Sequence, residues 1–526
     1  MASRTPHANG GPCKRPMTDW YDPRQLLRTG IEVLISAAMG QRFDYRMMQD
    51  VALEQSIFDY SREDSSDPQS ALRNELWIDY MGDTGDGWYP THAIATLVAQ
   101  PSLRLNGHVL PRGEVLVLGG DQVYPTASRT NYRERFVGPF QHALPKTDPP
   151  CPHLFAIPGN HDWYDGLVSF SRLFTHGRSI GGWQTRQRRS YFALKLPHRW
   201  WLFAVDVQLE SDIDYAQLDF FRRVTDHFLP GDRVILASAE PDWIFCDIAD
   251  PVAESNLAYL EEHLIKPGGG KVHLWVAGDL HHYKRHEKAG ESQFQRITSG
   301  GGGAFLHPTH RPAKETVSVG GETFVQKCTF PAPSDSFRLT FGNLFFAVKN
   351  WKLGLATGFV YAALNWWPIT TWKVVADNPS IIVWSLVILG GFVFYADKDH
   401  PWFRWIGGLT HGVVHLASAI GISHWTAALS DGGPAMEVAR VLLNFIGGGI
   451  VGPTILGVYL LIALNVFGAH GNEAFSALRV EGFKHFLRLH VRSDGRLEIF
   501  PIGVRKVSHD DQVLPDASLI EPPILM

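Results

Sequence analysis

Short apolar runs, each closed by a turn that contains glycine, dominate the first 340 residues of the chain. Examples are Val115-Leu116-Val117-Leu118, Leu154-Phe155-Ala156-Ile157 and the run from Val272 to Ala277. Runs of this length without strict polar alternation are typical of parallel β-strands that are buried on both faces. The pattern therefore predicts an α/β domain built around a largely parallel sheet.

The composition changes near residue 340. Four later stretches contain no Asp, Glu, Lys or Arg, and they cover residues 353–372, 380–396, 406–429 and 441–467. About 20 apolar residues in a helix can cross a hydrocarbon core that is about 30 Å thick. We therefore expect a transmembrane region over residues 341–469 with about four helices.

The two ends of the chain are polar. Residues 1–20 lack the apolar core of a secretory signal and are expected to be disordered, so the α/β domain would cover residues 21–340. Residues 470–526 contain two strand-like runs joined by Asp494-Gly495, which predicts a β-hairpin. Two strands alone are marginal in water, so we expect this short tail to pack on the first domain.

Charge and cysteine content suggest where the protein acts. Basic residues beside the apolar stretches favour a multi-pass protein of the plasma (inner) membrane, with the α/β domain and the carboxyl terminus in the cytoplasm. The four cysteines show no C-x-x-C spacing, as expected in a reducing compartment. A formal net charge of −5 argues against a nucleic-acid partner. The sequence leaves the oligomeric state open.

Four motifs follow predicted strands: Gly82-Asp83-Thr84-Gly85, the run from Gly120 to Tyr124, Gly159-Asn160-His161-Asp162, and Gly278-Asp279-Leu280-His281. Because the carboxyl ends of parallel strands meet at one edge of a sheet, side chains on these turns can converge. A single Gly-Asp after a strand is usually only a turn. Four such turns with metal-binding side chains instead indicate a two-metal site, in which a bridging carboxylate holds the cations about 3.5–4 Å apart.

The motif order GDxG, GDxxY, GNHD and a late GxxH resembles that of the calcineurin-like metallophosphoesterases, and the tyrosine is most similar to the purple acid phosphatase branch. The resemblance implies a four-layer α/β sandwich that hydrolyses phosphate mono- or diesters with a hydroxide held on two metal ions. It implies Asp83 and Tyr124 as ligands of one metal, Asp121 as the bridge, and Asn160 as a ligand of the other. Iron and manganese are the expected ions, with magnesium or zinc as alternatives.

Two positions depart from the family pattern. Ala239 stands where the family usually has a histidine after a central strand, and Asp279 replaces the first histidine of the last motif. His281 can still serve the first metal. Glu240 and Asp279 are then the candidates that would complete the second site with oxygen ligands.

The expected reaction follows from the third motif and the membrane region. His161 is the candidate general acid or charge-stabilising group, and Asp162 is expected to hold its tautomer. Attachment to a membrane favours a lipid-linked or small phosphorylated substrate. The competing interpretation, motivated by Ala239, is a catalytically degraded phosphoesterase-like domain that acts as a membrane-bound ligand-binding or regulatory module.

Two further features leave alternatives open. The glycine run before His307 and His310 is either a substrate-facing loop or a flexible connector. His411 and His415 lie four residues apart, hence on one helix face, where they could serve a metal, a proton relay or an interhelical hydrogen-bond pair.

Overall fold

The computed structural model describes residues 12–40, 57–63, 70–207, 212–249, 255–311, 315–396 and 401–526. Within these residues the chain forms a mixed α/β fold in which two large sheets pack face to face. Their common core joins Ile78 and Val117 of one sheet to Leu202 and Val276 of the other, all fully buried. The apolar runs thus form inner strands, as their sequences predict.

The first sheet has nine strands in the described part of the chain. In spatial order they are Phe58–Asp59, Phe192–Lys195, Trp200–Ala204, Asp232–Ala237, Gly270–Ala277, Glu291–Ser299, Tyr283–Lys288, Glu322–Phe330 and Thr316–Val319. The four strands from Trp200–Ala204 to Glu291–Ser299 run parallel to their neighbours. The remaining partners on the Tyr283 side are antiparallel.

The second sheet carries the first three motifs. In spatial order its strands are Ala517–Leu519, Leu497–Val504, Lys484–Val491, Leu76–Met81, Val115–Gly119, His153–Ile157, Trp183–Thr185 and Ser179–Ile180, and Ile524–Leu525 also pairs with Leu497–Val504. Leu76–Met81, Val115–Gly119 and His153–Ile157 are parallel neighbours. Their carboxyl ends therefore lie at one edge. Ser102–Leu105 and His108–Pro111 form a separate hairpin.

Helices cover the outer faces of both sheets. Ile94 and Phe136 pack on the second sheet, and Phe220 and Leu260 pack on the first. The layers therefore follow in the order helices, sheet, sheet, helices. The helices of this domain are Pro23–Gly40, Trp88–Ala99, Arg129–Asn131, Gly138–Ala143, Asn160–Trp163, Val168–Phe174, Tyr215–Thr225, Asp242–Ala249, Asn256–Leu260 and Pro333–Thr340.

The carboxyl-terminal segment is an integral part of the second sheet. Lys484–Val491 and Leu497–Val504 form the antiparallel hairpin, and Lys484–Val491 also pairs with Leu76–Met81, the strand before Asp83. A domain boundary at residue 340 therefore does not describe the fold, because the sheet needs strands from both sides of the apolar region.

The apolar region differs from the expected four spans. Its helices are Phe346–Lys349, Trp351–Leu364, Trp372–Asp377, Pro379–Tyr395, Pro401–Thr426, Pro434–Ile462 and Gly471–Ser476. Among the described residues, two helical stretches are long and apolar enough to cross a membrane, Trp402–Ser430 and Pro434–Phe467. They correspond to the expected spans 406–429 and 441–467.

The other two expected spans are too short. The helix Trp351–Leu364 has 14 residues and ends ahead of Pro368, whose ring disfavours helical backbone at the preceding residue. Pro379–Tyr395 has 17 residues. At 1.5 Å per residue these helices measure about 21 and 25 Å, less than the hydrocarbon core of about 30 Å.

The amino-terminal segment also departs from expectation. Residues 1–11 lie outside the described part of the chain, whereas residues 12–20, which were expected to be disordered, pack on the domain. Thr18 donates its backbone N–H to Oδ1 of Asp86 (2.9 Å), and Met17 and Thr18 are buried. Lys352, at the start of an apolar helix, forms ion pairs with Asp19 and Asp22. Contacts with distant residues thus order a segment whose own sequence is polar.

Candidate metal centre

The three motif aspartates share an unusual backbone conformation. Asp83, Asp121 and Asp279 follow the strands Leu76–Met81, Val115–Gly119 and Gly270–Ala277, with φ angles of 57°, 50° and 63°. Left-handed backbone is uncommon for residues other than glycine, although aspartate tolerates it better than most. Such conformations persist where the surrounding structure imposes them, often at functional sites. The structure therefore brings all three aspartates to one edge of the sandwich in a similar way.

Four donor atoms converge beside Tyr124. Its hydroxyl donates to Oδ1 of Asp83 (2.8 Å) and to Oδ2 of Asp121 (3.2 Å), and it lies 2.9 Å from Nε2 of His281. The same Nε2 lies 3.4 Å from Oδ1 of Asp83. Ligands about 2.0–2.1 Å from one ion lie about 2.9–3.4 Å from one another. The four atoms thus have the mutual spacing of ligands around a single cation.

His281 presents the correct nitrogen to this cluster. Its Nδ1–H donates to the backbone carbonyl of Phe305 (2.7 Å), so in the neutral ring the lone pair is on Nε2. Metal-binding histidines commonly donate their other ring N–H to a carbonyl in this way. Burial also lowers the pKa of His281 well below its usual value, which favours the neutral form.

The aspartates of the cluster are buried with like-charged neighbours. Burial raises the pKa of Asp83 to about 8 although the Tyr124 hydroxyl and the Asp279 N–H both stabilise its charge. Burial raises the pKa of Asp121 well above its usual value, and the carboxylates of Asp83, Asp162 and Asp279 add to this shift. Burying two carboxylates together is costly unless a cation or a proton compensates them. The electrostatics therefore favour a cation at this position.

Asn160 supplies a further oxygen. Its Oδ1 atom is buried and has no hydrogen-bond partner, which is rare for a buried polar atom and calls for an explanation. The next residue, His161, donates its backbone N–H to Oδ1 of Asp121 (2.8 Å). A Cβ at Gly159 would lie 2.1 Å from the same oxygen, so only glycine permits this approach. Asn160 and Asp121 are thereby held next to each other.

Asp279 and Glu240 lie on the same side of the site. The half-buried Asp279 has its pKa raised to about 7 by burial and by the charge of Asp83. Burial raises the pKa of Tyr164, and the carboxylates of Asp121, Asp279 and Glu240 all contribute. Ala239 packs so closely on Gly120 that a Cβ at Gly120 would lie 2.6 Å from that of Ala239. A histidine at position 239 would therefore need this contact to open.

The donor chemistry of the site is mixed. Among the described residues, no three His, Cys, Asp or Glu side chains by themselves form a group that could hold a metal ion. The convergent set here is completed by the phenol of Tyr124 and the amide of Asn160. With the spacing around Tyr124, the orphaned Asn160 oxygen and the uncompensated carboxylates, these residues fit a bound cation.

The structure places His161 and Asp162 apart in their contacts. His161 is half-buried, its Nδ1–H donates to the carbonyl of Pro125 (2.6 Å), and burial lowers its pKa to about 4. Asp162 does not hold this tautomer, because its carboxylate accepts hydrogen bonds from the backbone N–H groups of Gly159 and Gln122 and from the hydroxyl of Tyr132. Asp162 therefore shapes the motif turn, whereas His161 exposes Nε2 as its free nitrogen.

Sequence reasoning missed Trp20 as part of the site. Its ring packs edge-on against Tyr124, His161 and Phe305 at centroid distances of 6.4, 6.0 and 5.6 Å. Its indole Nε1 is buried without a hydrogen-bond partner. No local signal marks this residue, because it lies in a polar segment far from the motifs.

The glycine run packs between the motif turns and does not form a free loop. Gly302 donates its N–H to the carbonyl of Gly82 (2.9 Å), and Ala304 donates to that of Asp83 (2.9 Å). A Cβ at Gly300 would lie 2.4 Å from Oδ2 of Asp83. His307, which follows the run, stacks on His281 with ring centroids 4.0 Å apart. The run is therefore neither a flexible connector nor an open anion loop, but the support of the first motif.

His411 and His415 face the interior of the apolar region. Nδ1 of His415 lies 2.9 Å from the Tyr361 hydroxyl of a neighbouring helix, and Nε2 lies 3.2 Å from Nε2 of His411. Phe392 packs on both rings. The polar atoms thus pair between helices, the third of the alternatives considered above.

Comparison with known proteins finds only distant similarity. No protein-family model and no curated protein matches the chain. Among solved structures, it is similar to GAP50, the anchor in the inner membrane complex of Plasmodium, with 14% identity and a TM-score of 0.33 over 44% of this chain and 74% of that one. Purple acid phosphatase PPD1 from yellow lupin seeds gives 12% identity and a TM-score of 0.29 over 48% of each chain. PhoD gives 11% and 0.28 over 44% and 59%.

Proposed function

We propose that this chain is a membrane-anchored, metal-dependent phosphoesterase. The observation that carries the proposal is the convergence of Asp83, Asp121, Tyr124 and His281 within 2.8–3.4 Å of one another, on turns that follow buried strands. Asn160, Asp279 and Glu240 are the proposed additional ligands of a second ion. Iron or manganese suits the phenol- and carboxylate-rich donors.

Bound metals would polarise a phosphoryl oxygen and supply a hydroxide nucleophile near neutral pH. The chain's own residues then orient the ester. His161 holds a proton on Nδ1 against the Pro125 carbonyl and offers Nε2 as a proton acceptor beside Tyr124. Trp20 and Tyr164 exclude water from the same side, because both rings pack against His161.

The proposed location is a membrane crossed by the helices Trp402–Ser430 and Pro434–Phe467, with the phosphoesterase domain and the carboxyl-terminal strands on the cytoplasmic side of a plasma (inner) membrane. Both strands of the carboxyl-terminal hairpin belong to the domain's sheet, which requires both ends of the apolar region to return to one side. Phosphate mono- or diesters, either small or lipid-linked, are the proposed substrates.

A second candidate is a ligand-binding or regulatory module without turnover. Its support is Ala239, whose tight packing on Gly120 leaves the family's histidine position without an imidazole. The two candidates differ in whether Asp279 and Glu240 make up for that missing ligand.

The test uses full-length protein in lipid nanodiscs. Metal content is measured by mass spectrometry, and hydrolysis of p-nitrophenyl phosphate and bis-p-nitrophenyl phosphate is followed with added iron or manganese. We expect metal-dependent turnover that Asp121→Asn abolishes together with metal content, whereas the exposed control Asp494→Asn retains both. Bound metal without turnover on either ester would support the binding module, and absence of bound metal would contradict the proposal.

A further inference from the structure

The helix Pro23–Gly40 exposes its apolar face and directs its polar face inward. Its exposed apolar side chains have 47–71% of their surface open, and they are Leu26, Leu27, Ile31, Leu34 and Ile35. Gln25, Thr29, Glu32 and Ser36 are half-buried. A surface helix of a water-soluble domain shows the reverse arrangement, with its apolar stripe toward the core.

The exposed residues form one continuous surface. Leu27, Ile31 and Leu34 follow the i, i+4, i+7 spacing of a single helix face, and Leu26 and Ile35 widen it. Arg24 and Arg28 are exposed beside this face, and the first turn contains no acidic residue. An amphipathic helix with basic residues beside its apolar face is typical of a helix that lies in a membrane interface.

The position of the helix connects this face to the apolar region. Its start is fixed by the ion pair between Asp22 and Lys352 (2.8 Å), the second residue of the helix Trp351–Leu364. That helix in turn exposes Leu355 and Phe359. The apolar face of the amino-terminal helix is therefore next to an apolar surface that belongs to the membrane region.

The polar face docks beside the candidate metal centre. Ser36 donates from Oγ to the backbone carbonyl of Trp163 (3.4 Å), and the charge of Glu32 contributes to the raised pKa of Asp165. Trp163 and Asp165 directly follow the third motif. Immediately before the helix, Trp20 packs on Tyr124 and His161. The helix thus spans the rim of the site.

We propose that the face formed by Leu26, Leu27, Ile31, Leu34 and Ile35 is embedded in the lipid headgroup and acyl boundary of the bilayer. The occupant is the membrane itself, since the face continues the apolar surface of the adjoining helices and is edged by arginines that suit lipid phosphates. The rim of the metal centre then lies at headgroup level. Resting on the proposed function, this position makes a phosphate ester carried by a membrane lipid the substrate class.

The test labels single cysteines of the full chain in nanodiscs. Cys13, Cys151, Cys246 and Cys328 are replaced by serine, and an environment-sensitive fluorophore is attached at Leu34→Cys. The matched controls are Thr29→Cys, on the polar face of the same helix, and Leu229→Cys, an exposed apolar position on the α/β domain. Nanodiscs are prepared with and without lipids that carry a nitroxide quencher near the headgroup.

We expect a blue-shifted emission and a loss of fluorescence with quencher lipid at position 34, and smaller effects at positions 29 and 229. Quenching at position 34 no stronger than at position 229 would overturn the proposal. A blue shift without quenching would also overturn it, because the face would then be covered by protein, such as a second copy of the chain. The measurement needs no turnover, so an inactive enzyme leaves it interpretable.

Discussion

Arg488 binds both carboxylate oxygens of Asp79 across two neighbouring strands, although 409 residues separate them in the chain. Nε of Arg488 lies 2.7 Å from Oδ1 and its NH2 nitrogen lies 3.0 Å from Oδ2, and both side chains are buried. Asp79 belongs to the strand that leads into Asp83, the first motif aspartate. The ion pair therefore joins the carboxyl-terminal strands to the metal centre.

Loss of this pair should unfold the domain more easily. Arg488→Ala leaves the buried Asp79 without a counter-charge, and breaking a buried pair in this way costs about 3–5 kcal/mol. Arg496→Ala removes the exposed pair with Asp494, for which we expect a cost below about 1 kcal/mol. Chemical unfolding of both variants in detergent measures the difference. Equal free energies of unfolding would contradict the assigned role of Arg488.

Tyr124→Phe should release metal without loss of fold. The hydroxyl of Tyr124 contacts Asp83, Asp121 and His281, so its removal deprives the site of its central donor. Since changing even an outer partner of a metal site costs about 10- to 100-fold in affinity, we expect at least that loss. Metal content after dialysis against a chelator measures it. The control Tyr283→Phe removes a buried hydroxyl that binds Glu521 and should retain the metal.

Lys484 should give the protein a pH-dependent stability. Burial lowers its pKa from 10.5 to about 7, so the folded state releases a proton that the unfolded state keeps until about pH 10.5. The stability that this neutral lysine provides is therefore present above pH 10.5 and is lost as the pH falls towards 7, by at most about 1.4 kcal/mol per pH unit. Lys484→Met should remove this slope between pH 7 and pH 10, measured by chemical unfolding of metal-depleted protein. The exposed control Lys506→Met should keep it, and an unchanged slope in Lys484→Met would refute the assignment.

Trp20 should contribute to substrate binding and not to metal binding. Trp20→Ala and Trp20→Phe both remove the buried indole N–H, and one lost hydrogen bond of about 0.5–1.5 kcal/mol corresponds to a KM raised about 2- to 12-fold. Steady-state kinetics and metal analysis separate the two roles. The exposed Trp372→Ala serves as control. Metal loss in Trp20→Phe, or an unchanged KM in both variants, would show that Trp20 only fills space.

Much of the centre could be anticipated because its donors follow strands directly. The apolar run Val115–Gly119 leads into Asp121, and position in the chain alone places such a residue at the carboxyl edge of a parallel sheet. The role of Asp162 could not be anticipated in this way. Its neighbours Gln122 and Tyr132 belong to another part of the chain, and their hydrogen bonds turn its carboxylate away from His161.

The sequence by itself determined the inner strands, the types of donor side chain and the presence of a long apolar region, because each depends on residues that are close together in the chain. The tertiary structure alone decided that Lys484–Val491 completes the catalytic sheet, that Trp20 covers the centre and that the helix Pro23–Gly40 exposes its apolar side. These features arise from contacts across hundreds of residues, and local periodicity carries no information about which distant surface a segment will meet.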